Sequence, residues 1–164
     1  NNPVIFLEYK AQYNMKGEVP TSPDFVLPIG KADIKRVGKD VTVVTYGRML
    51  ERVLKAADKA AEKGIEVEVV DLMTLAPLDR ETIIESVRKT GRVLLVNDAH
   101  KTGGFLGEIA ASIAESGAFD YLDSRILRLA AEDIPTPYNH SLEVAMLPDV
   151  DRILKYIERL YDKR

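Results

Sequence analysis

Apolar and polar residues follow one another in regular blocks along this chain, and the blocks predict alternating strands and helices. Short apolar stretches rich in β-branched residues predict buried strands at residues 41–46, 67–72, 92–97 and 125–130. Apolar residues at helical spacing predict helices at residues 48–62, 80–89, 105–115 and 149–161. Such alternation over short connections favours parallel strands and right-handed crossovers. The prediction is an α/β protein, a three-layer α/β/α sandwich with a mostly parallel sheet.

Residues outside this alternation complete the predicted domain. Residues 28–37 form an extended stretch, and Pro28 restricts it to an edge, where we expect one antiparallel strand. Asp79 is placed to cap the helix that follows it, and Gly64 to end the helix that precedes it. The proline-rich stretch 134–148 is predicted to be a loop.

The first residues suggest that more protein lies upstream. Residues 4–7 read VIFL, and strands this apolar usually need partners on both sides. We therefore interpret residues 1–8 as the tail of an upstream domain and the chain as a fragment. Residues 9–27 contain turn residues without strong periodicity and are predicted to be a linker. Residues 28–164 then form the α/β domain.

Composition removes several classes of function. The 164 residues fit one compact domain, and 23 Lys and Arg against 26 Asp and Glu give a net charge of −3. Nucleic acid is therefore not an expected partner, because its phosphates need a basic face. The absence of cysteine excludes disulfides, zinc–thiolate sites and a Cys nucleophile. No apolar run approaches the roughly 18 residues of a membrane span, so a cytoplasmic location is expected.

Two histidines are the first candidates for chemistry, and neither lies in a metal-ligand spacing. His100 follows the third predicted strand, two residues after Asp98. It is either a general base with a carboxylate that orients it or a polar loop residue, and the second interpretation is favoured. His140 is interpreted as a loop contact.

A glycine turn is the second candidate. Gly103, Gly104 and Gly107 lie between a predicted strand and a predicted helix, where free backbone N–H groups attract anions, and Lys101 would add positive charge. Their spacing matches neither dinucleotide nor P-loop motifs, so these glycines are more simply interpreted as permitting a tight turn and close packing. By residue chemistry alone, no convincing active site emerges.

Several separated motifs, in order, resemble a known family. VTVVTYG, a helix and then GIEVEVVDLMTLAPLD resemble the C-terminal domain of transketolase-like thiamine diphosphate enzymes. Four further stretches narrow the resemblance: NPVIFLE, LPIGKADIKRVGKDVTVVTYG, TGGFLGEIAASIAE, and LRLAAEDIPTPY followed by LPDVDRIL. Together they are similar to the beta subunit of the decarboxylating component of 2-oxoacid dehydrogenase complexes, of the pyruvate and branched-chain type.

The resemblance implies an α2β2 enzyme that decarboxylates a 2-oxoacid on thiamine diphosphate and acylates the lipoyl group of an acyltransferase. The upstream domain, which binds the pyrimidine of thiamine, would supply a catalytic glutamate and histidine before Asn1. The alpha subunit would hold the diphosphate and Mg²⁺. This chain alone is then expected to bind no cofactor or metal and to be inactive.

The work that the resemblance leaves to this domain is assembly with the alpha subunit, a second beta subunit and the basic subunit-binding domain of the acyltransferase. Asp123 matches one acid of the docking site for that domain, and Asp120 is nearby. Asp123 is equally consistent with a simple turn acid. Lys163 and Arg164 would weaken contact with a basic partner. The further interface candidates are Asp98, His100, Gly103, Gly104 and Glu108.

Two alternatives remain at this point. One is a stand-alone anion- or nucleotide-binding module that uses the Gly103–Gly104 turn. The other is the equivalent domain of transketolase or deoxyxylulose-phosphate synthase, and Pro135-Thr136-Pro137-Tyr138 with the terminal helix argues against it. A histidine in a His-Glu-Ala motif of many relatives is displaced by three positions here, so its role is not transferred to His100.

Overall fold

A five-stranded sheet forms the centre of the computed structural model, which describes residues 2–162. The strands are β1 (Asp33–Arg36), β2 (Val41–Thr45), β3 (Val67–Asp71), β4 (Val93–His100) and β5 (Leu127–Ala131). The helices are α1 (Met49–Ala61), α2 (Arg80–Thr90), α3 (Leu106–Ala114), α4 (His140–Met146) and α5 (Val150–Tyr161). Short 3₁₀ turns occur at Lys10–Gln12 and Phe119–Tyr121. The predicted basic end at Lys163 and Arg164 lies outside the described residues.

The strand order is β1-β3-β2-β4-β5, and β1 alone runs antiparallel, against β3, among the strands described. The three central strands are paired on both sides, which fits their nearly continuous apolar sequences. The predicted sandwich, with a mostly parallel sheet and an antiparallel edge strand, is confirmed.

Consecutive strand residues serve opposite cores. Val43 packs in a cluster with α1 and α5, whereas Val44, the next residue, packs with α2 and α3. Both side chains are fully buried, because strand side chains alternate between the two faces of the sheet. Helices on both faces therefore hold the sheet in place.

The helix ends follow the predicted signals. The Asp79 carboxylate accepts a hydrogen bond of 3.2 Å from the Thr82 N–H in the first turn of α2, so the predicted cap is confirmed. Gly64 has a φ of +78°, and its N–H donates to Ala61 at 2.9 Å. Ile65 donates to Ala60 at 3.0 Å, which completes a Schellman motif after α1.

One local prediction is wrong. Residues 134–148 are not all loop, because α4 lies within them. Asn139 begins this helix by accepting hydrogen bonds from Ser141 N–H at 2.9 Å and Leu142 N–H at 3.3 Å. The prolines of this stretch lie outside α4, where they do not interrupt it. Residues 4–7 are unpaired among the described strands and 69–86% exposed, and the upstream domain to which they are assigned stays a prediction.

Candidate functional site at the carboxyl edge of the sheet

The sheet has one position at which the direction of its connections reverses. The chain leaves β2 toward β3 on one side, and leaves β4 toward β5 on the other, although β2 and β4 are neighbours. In open α/β sheets, ligands bind at the carboxyl ends of such strands. A ligand site is therefore expected in the crevice between the carboxyl ends of β2 and β4.

An ion pair occupies this crevice. The Arg48 Nε donates to the Asp98 Oδ2 at 2.6 Å, and the Asp98 side chain is only 13% exposed. Arg48 directly precedes α1, and Asp98 lies within β4, which runs three residues beyond the predicted strand. Two opposite charges at this distance neutralise each other, so neither is available as an unpaired binding group.

Tyr9, from the segment before the domain, covers the mouth of the crevice. The Arg48 guanidinium lies 6.0 Å from the centroid of its ring. Burial, followed by the negative charge of Asp98, raises the pKa of the Tyr9 hydroxyl above its usual value. Gly47 makes this approach possible, because a Cβ on it would lie 2.6 Å from the Tyr9 Cε2. Tyr9 thus covers part of the crevice, on the side of Gly47 and Arg48.

His100 lies beside the crevice, at the last position of β4 rather than in a loop. Its Nε2–H donates to the Ile134 carbonyl oxygen at 3.0 Å, and among residues 2–162 no carboxylate is hydrogen-bonded to its ring. It lines a cleft of about 200 Å³ together with Arg48, Asp98, Thr136 and Glu143. The hydrogen-bonded pair that a general base requires is not formed here, because the Asp98 carboxylate is turned to Arg48.

The glycine turn is already occupied by a carboxylate of the chain. The Thr102 N–H donates to Asp133 at 3.0 Å and its hydroxyl at 2.6 Å, and these bonds lower the pKa of Asp133 below its usual value. Gly103 has a φ of +71°, and a Cβ on Gly104 would lie 2.3 Å from the His100 carbonyl oxygen. The glycines therefore serve a tight turn, and the anion held at this turn is Asp133.

The acidic candidates are divided between the two edges of the sheet. Asp123 lies at the amino edge, where its Oδ2 is 3.1 Å from the Arg92 Nη2 and its N–H donates to Gly91 at 2.8 Å. Its side chain remains 56% exposed, and the neighbouring Asp120 is exposed in the Phe119–Tyr121 turn. Glu108, on α3, pairs with Arg80 at 2.8 Å. The structure thus does not bring these acids together with Asp98 and His100.

Sequence reasoning missed the polar residues beneath the crevice. Asn97 is fully buried, and its Nδ2 donates to the Tyr46 hydroxyl at 2.7 Å. Tyr46 in turn packs edge-on against Phe105, with ring centroids 6.4 Å apart. In the sequence, Tyr46 and Asn97 are visible only as polar side chains at the ends of two apolar stretches. That they contact each other depends on the order of the strands in the sheet, which the sequence does not state.

The described residues offer no site for a metal and no membrane span. Within residues 2–162, no three His, Asp or Glu side chains are grouped so that they could share a metal ion. In the same part of the chain, no helix is long and apolar enough to cross a membrane.

Comparison with known proteins agrees with the fold. Residues 30–153 match the family described as "Transketolase, C-terminal domain", and the chain belongs to that family. A solved structure, "Split gene transketolase, inactive beta4 tetramer", superposes with a TM-score of 0.73 at 27% identity, over 87% of this chain and 45% of that one.

Curated relatives narrow the resemblance. The chain is 49% identical over 93% of its length to the "2-oxoisovalerate dehydrogenase subunit beta" of Bacillus subtilis (strain 168), and covers 46% of that protein. It is 45% identical over 96% of its length to the "Pyruvate dehydrogenase E1 component subunit beta" of Rhizobium meliloti (strain 1021), and covers 34% of it. The predicted resemblance to these beta subunits is confirmed. The chain spans less than half the length of either relative.

Proposed function

We propose that this chain serves as the C-terminal assembly domain of the beta subunit of a thiamine diphosphate-dependent 2-oxoacid dehydrogenase. The whole α2β2 enzyme would decarboxylate a 2-oxoacid and acylate the lipoyl group of an acyltransferase. The observation that carries the proposal is the 42–49% identity to beta subunits of this type over nearly the whole chain.

The cofactor of such an enzyme does not fit the residues of this chain. Arg48 and Asp98, the charged groups in the crevice at the carboxyl edge, are paired with each other, and the Tyr9 ring lies over Arg48. The glycine turn holds Asp133 instead of a diphosphate. We therefore assign thiamine diphosphate and Mg²⁺ to the rest of the enzyme, and the catalytic glutamate and histidine to residues before Asn1.

Assembly surfaces are what remains for the domain to provide. The end of β4 with Asp98 and His100, the turn with Gly103 and Gly104, and Glu108 on α3 are proposed to contact the alpha subunit or a second beta subunit. Asp120 and Asp123 at the amino edge are proposed to dock the basic subunit-binding domain of the acyltransferase. Both side chains are exposed, and Asp123 forms an ion pair with Arg92. The cytoplasmic location expected from the sequence stays a prediction.

The alternatives are less well supported. A stand-alone anion-binding module would use the Gly103–Gly104 turn, whose Thr102 groups already bond Asp133. The equivalent domain of transketolase matches at 27% identity, well below the beta subunits. One similar beta subunit belongs to a pyruvate dehydrogenase and another to a 2-oxoisovalerate dehydrogenase. The proposed substrate is therefore a 2-oxoacid, without a choice between these two.

The test is an activity measurement on the complete reading frame that contains this chain. We expect the complete beta subunit, copurified with its alpha subunit, to release CO₂ from a 2-oxoacid when thiamine diphosphate is added, and the 164-residue chain alone to release none. Transfer of a two-carbon ketol unit between sugar phosphates, without decarboxylation of any 2-oxoacid, would instead assign the chain to transketolase.

A further inference from the structure

A basic groove runs beside β5, away from the crevice. Its volume is about 300 Å³. It lies between the loop after β4, the start of β5 and the outer side of α5. Four cationic side chains line it together with three apolar or aromatic ones: Lys101, Arg125, Arg128, Arg159, Ile126, Leu127 and Tyr156. No acidic residue is part of this lining. We refer to this feature as the basic groove.

The positive charge of the basic groove is not neutralised within the described chain. Elsewhere, many Lys and Arg side chains pair with carboxylates; Arg92, for example, pairs with Asp123, and Arg152 with Glu132. Among residues 2–162, none of the four cations of the groove forms such a pair. Like charges gathered on a protein with a net charge of −3 repel one another unless an anion lies between them.

Arg128 is held in position for such an anion. Its Nη1 donates to the Lys101 carbonyl oxygen at 3.3 Å, and a Cβ on Gly107 would lie 3.6 Å from the same nitrogen. One guanidinium nitrogen is thus used to fix the side chain against the backbone. A planar guanidinium fixed in this way keeps further N–H donors for a bidentate contact with oxygen.

We propose that the basic groove binds a small phosphate ester. Several convergent cations suit a dianionic phosphoryl group better than a single carboxylate, and arginine forks match phosphate oxygens bidentately. Tyr156 and Leu127, which pack against the same core, provide a wall for the organic part of the ester. The volume lies at the lower end of the range for small-molecule sites, roughly 300–1,000 Å³. This proposal does not rest on the function proposed above.

Binding of phosphate compounds to the purified chain provides the test. Inorganic phosphate, phenyl phosphate and acetate are titrated by calorimetry at about 0.15 M salt, where long-range attraction between exposed charges is largely screened. We expect phosphate to bind more tightly than acetate, and phenyl phosphate more tightly than phosphate because its ring contacts the apolar wall. Equal binding of all three anions would overturn the proposal.

Paired substitutions locate the site. Arg125→Gln combined with Arg159→Gln removes two charges from the basic groove, and we expect phenyl phosphate to bind at least about tenfold more weakly. Lys31→Gln combined with Lys39→Gln removes the same charge beside β1, at the opposite edge of the sheet, and should leave binding within about twofold. Equal losses in the two double variants would mean that only net charge matters and would refute the site. An unchanged circular dichroism spectrum shows that each variant is folded.

A second outcome concerns a macromolecular occupant. If neither phosphate compound binds the chain, but the groove variants lose association with an acidic partner protein, the basic groove is a protein interface and the small-ligand proposal is wrong. Protection of the 101 and 125–128 backbone amides from hydrogen exchange by phenyl phosphate, without the same effect from acetate, supports the proposal instead.

Discussion

Single side chains decide the close approaches at the carboxyl edge of the sheet. Gly47 admits the Tyr9 ring, and Gly104 admits the His100 carbonyl group. Asn97 is buried between its neighbours and bonds Tyr46. At each of these positions, the residue type is determined by an atom distant in sequence or across a turn, and not by secondary-structure propensity.

Replacing Gly104 with alanine is expected to destabilise the fold. The new Cβ would lie 2.3 Å from the His100 carbonyl oxygen, a backbone atom that cannot move without shifting the end of β4. We expect a loss of about 1–3 kcal/mol in the free energy of unfolding, measured by urea denaturation.

The matched control for this substitution is Gly17→Ala. A Cβ on Gly17 meets no atom within 4 Å, so its stability should stay within about 0.5 kcal/mol of the wild type. Equal stability of the two variants would contradict the packing described for Gly104.

Replacing Lys89 with methionine tests a buried carboxylate. Glu68 is fully buried in β3, where it accepts hydrogen bonds from Ser86 at 2.5 Å and from Lys89. Removal of the ammonium leaves a buried negative charge with hydroxyl and backbone partners only. We expect a loss of about 2 kcal/mol in the free energy of unfolding, below the full cost of an unpaired buried charge because Lys89 is partly exposed.

The comparison for Lys89→Met is Lys59→Met. Lys59 pairs with Asp151 at 2.8 Å on the surface, where solvent screens both charges. Its loss should change stability far less than the loss of Lys89, because solvent screens the exposed pair. A larger effect at Lys59 than at Lys89 would show that burial of Glu68 does not determine the result.

At the scale of elements, regular apolar periodicity predicted the strands and helices correctly, whereas single residues such as prolines did not predict where a short helix lies. The four strands predicted after residue 40 and the four predicted helices formed within a few residues of their expected bounds. The short helix α4 was missed because prolines flank it on both sides. Residues 4–7 have no strand partner among the described residues, because the partners expected for them belong to an upstream domain.

Asp79 joins two elements, so its ionisation should affect their stability. Burial alone would raise the pKa of its carboxyl, but hydrogen bonds from the Ala32 N–H and from Thr82 bring it below the usual value. A lowered pKa in the folded state means that the carboxylate stabilises the fold above pH 3.8 and that this contribution is lost as the pH falls through the folded-state pKa.

Asp79→Asn should therefore lower stability at neutral pH by about 1 kcal/mol, and the difference from the wild type should shrink in acid. Thermal unfolding followed between neutral pH and acid measures this difference. Asp24→Asn, in the exposed segment before β1, serves as the control and should leave the unfolding temperature at neutral pH nearly unchanged. A difference at Asp79 that persists unchanged in acid would contradict the described role of its charge.

At the scale of the whole molecule, the two edges of the sheet offer different surfaces. The carboxyl edge carries a crevice whose charges, Arg48 and Asp98, are paired with each other, with Tyr9 beside Arg48. The amino edge presents the exposed acids Asp120 and Asp123.

The proposed docking of a basic domain can be tested at the amino edge. Asp120→Asn combined with Asp123→Asn should weaken binding of the acyltransferase subunit-binding domain to the assembled enzyme about tenfold, because two negative charges are removed from the contact. Glu62→Gln combined with Glu115→Gln removes the same charge elsewhere and should leave the dissociation constant nearly unchanged. Calorimetry measures both, and equal effects would exclude a specific role for the amino-edge acids.

The sequence by itself determined the class of the fold, the alternation of its elements, the antiparallel edge strand and the family resemblance. These depend on local periodicity and on motif order, both of which can be read along the chain. Only the tertiary structure decided which polar residues meet. Arg48 reaches Asp98 across 50 residues, and Thr102 reaches Asp133 across 31, because the strand order β1-β3-β2-β4-β5 brings distant strand ends together. Contacts made by such crossovers leave no periodic trace in the sequence.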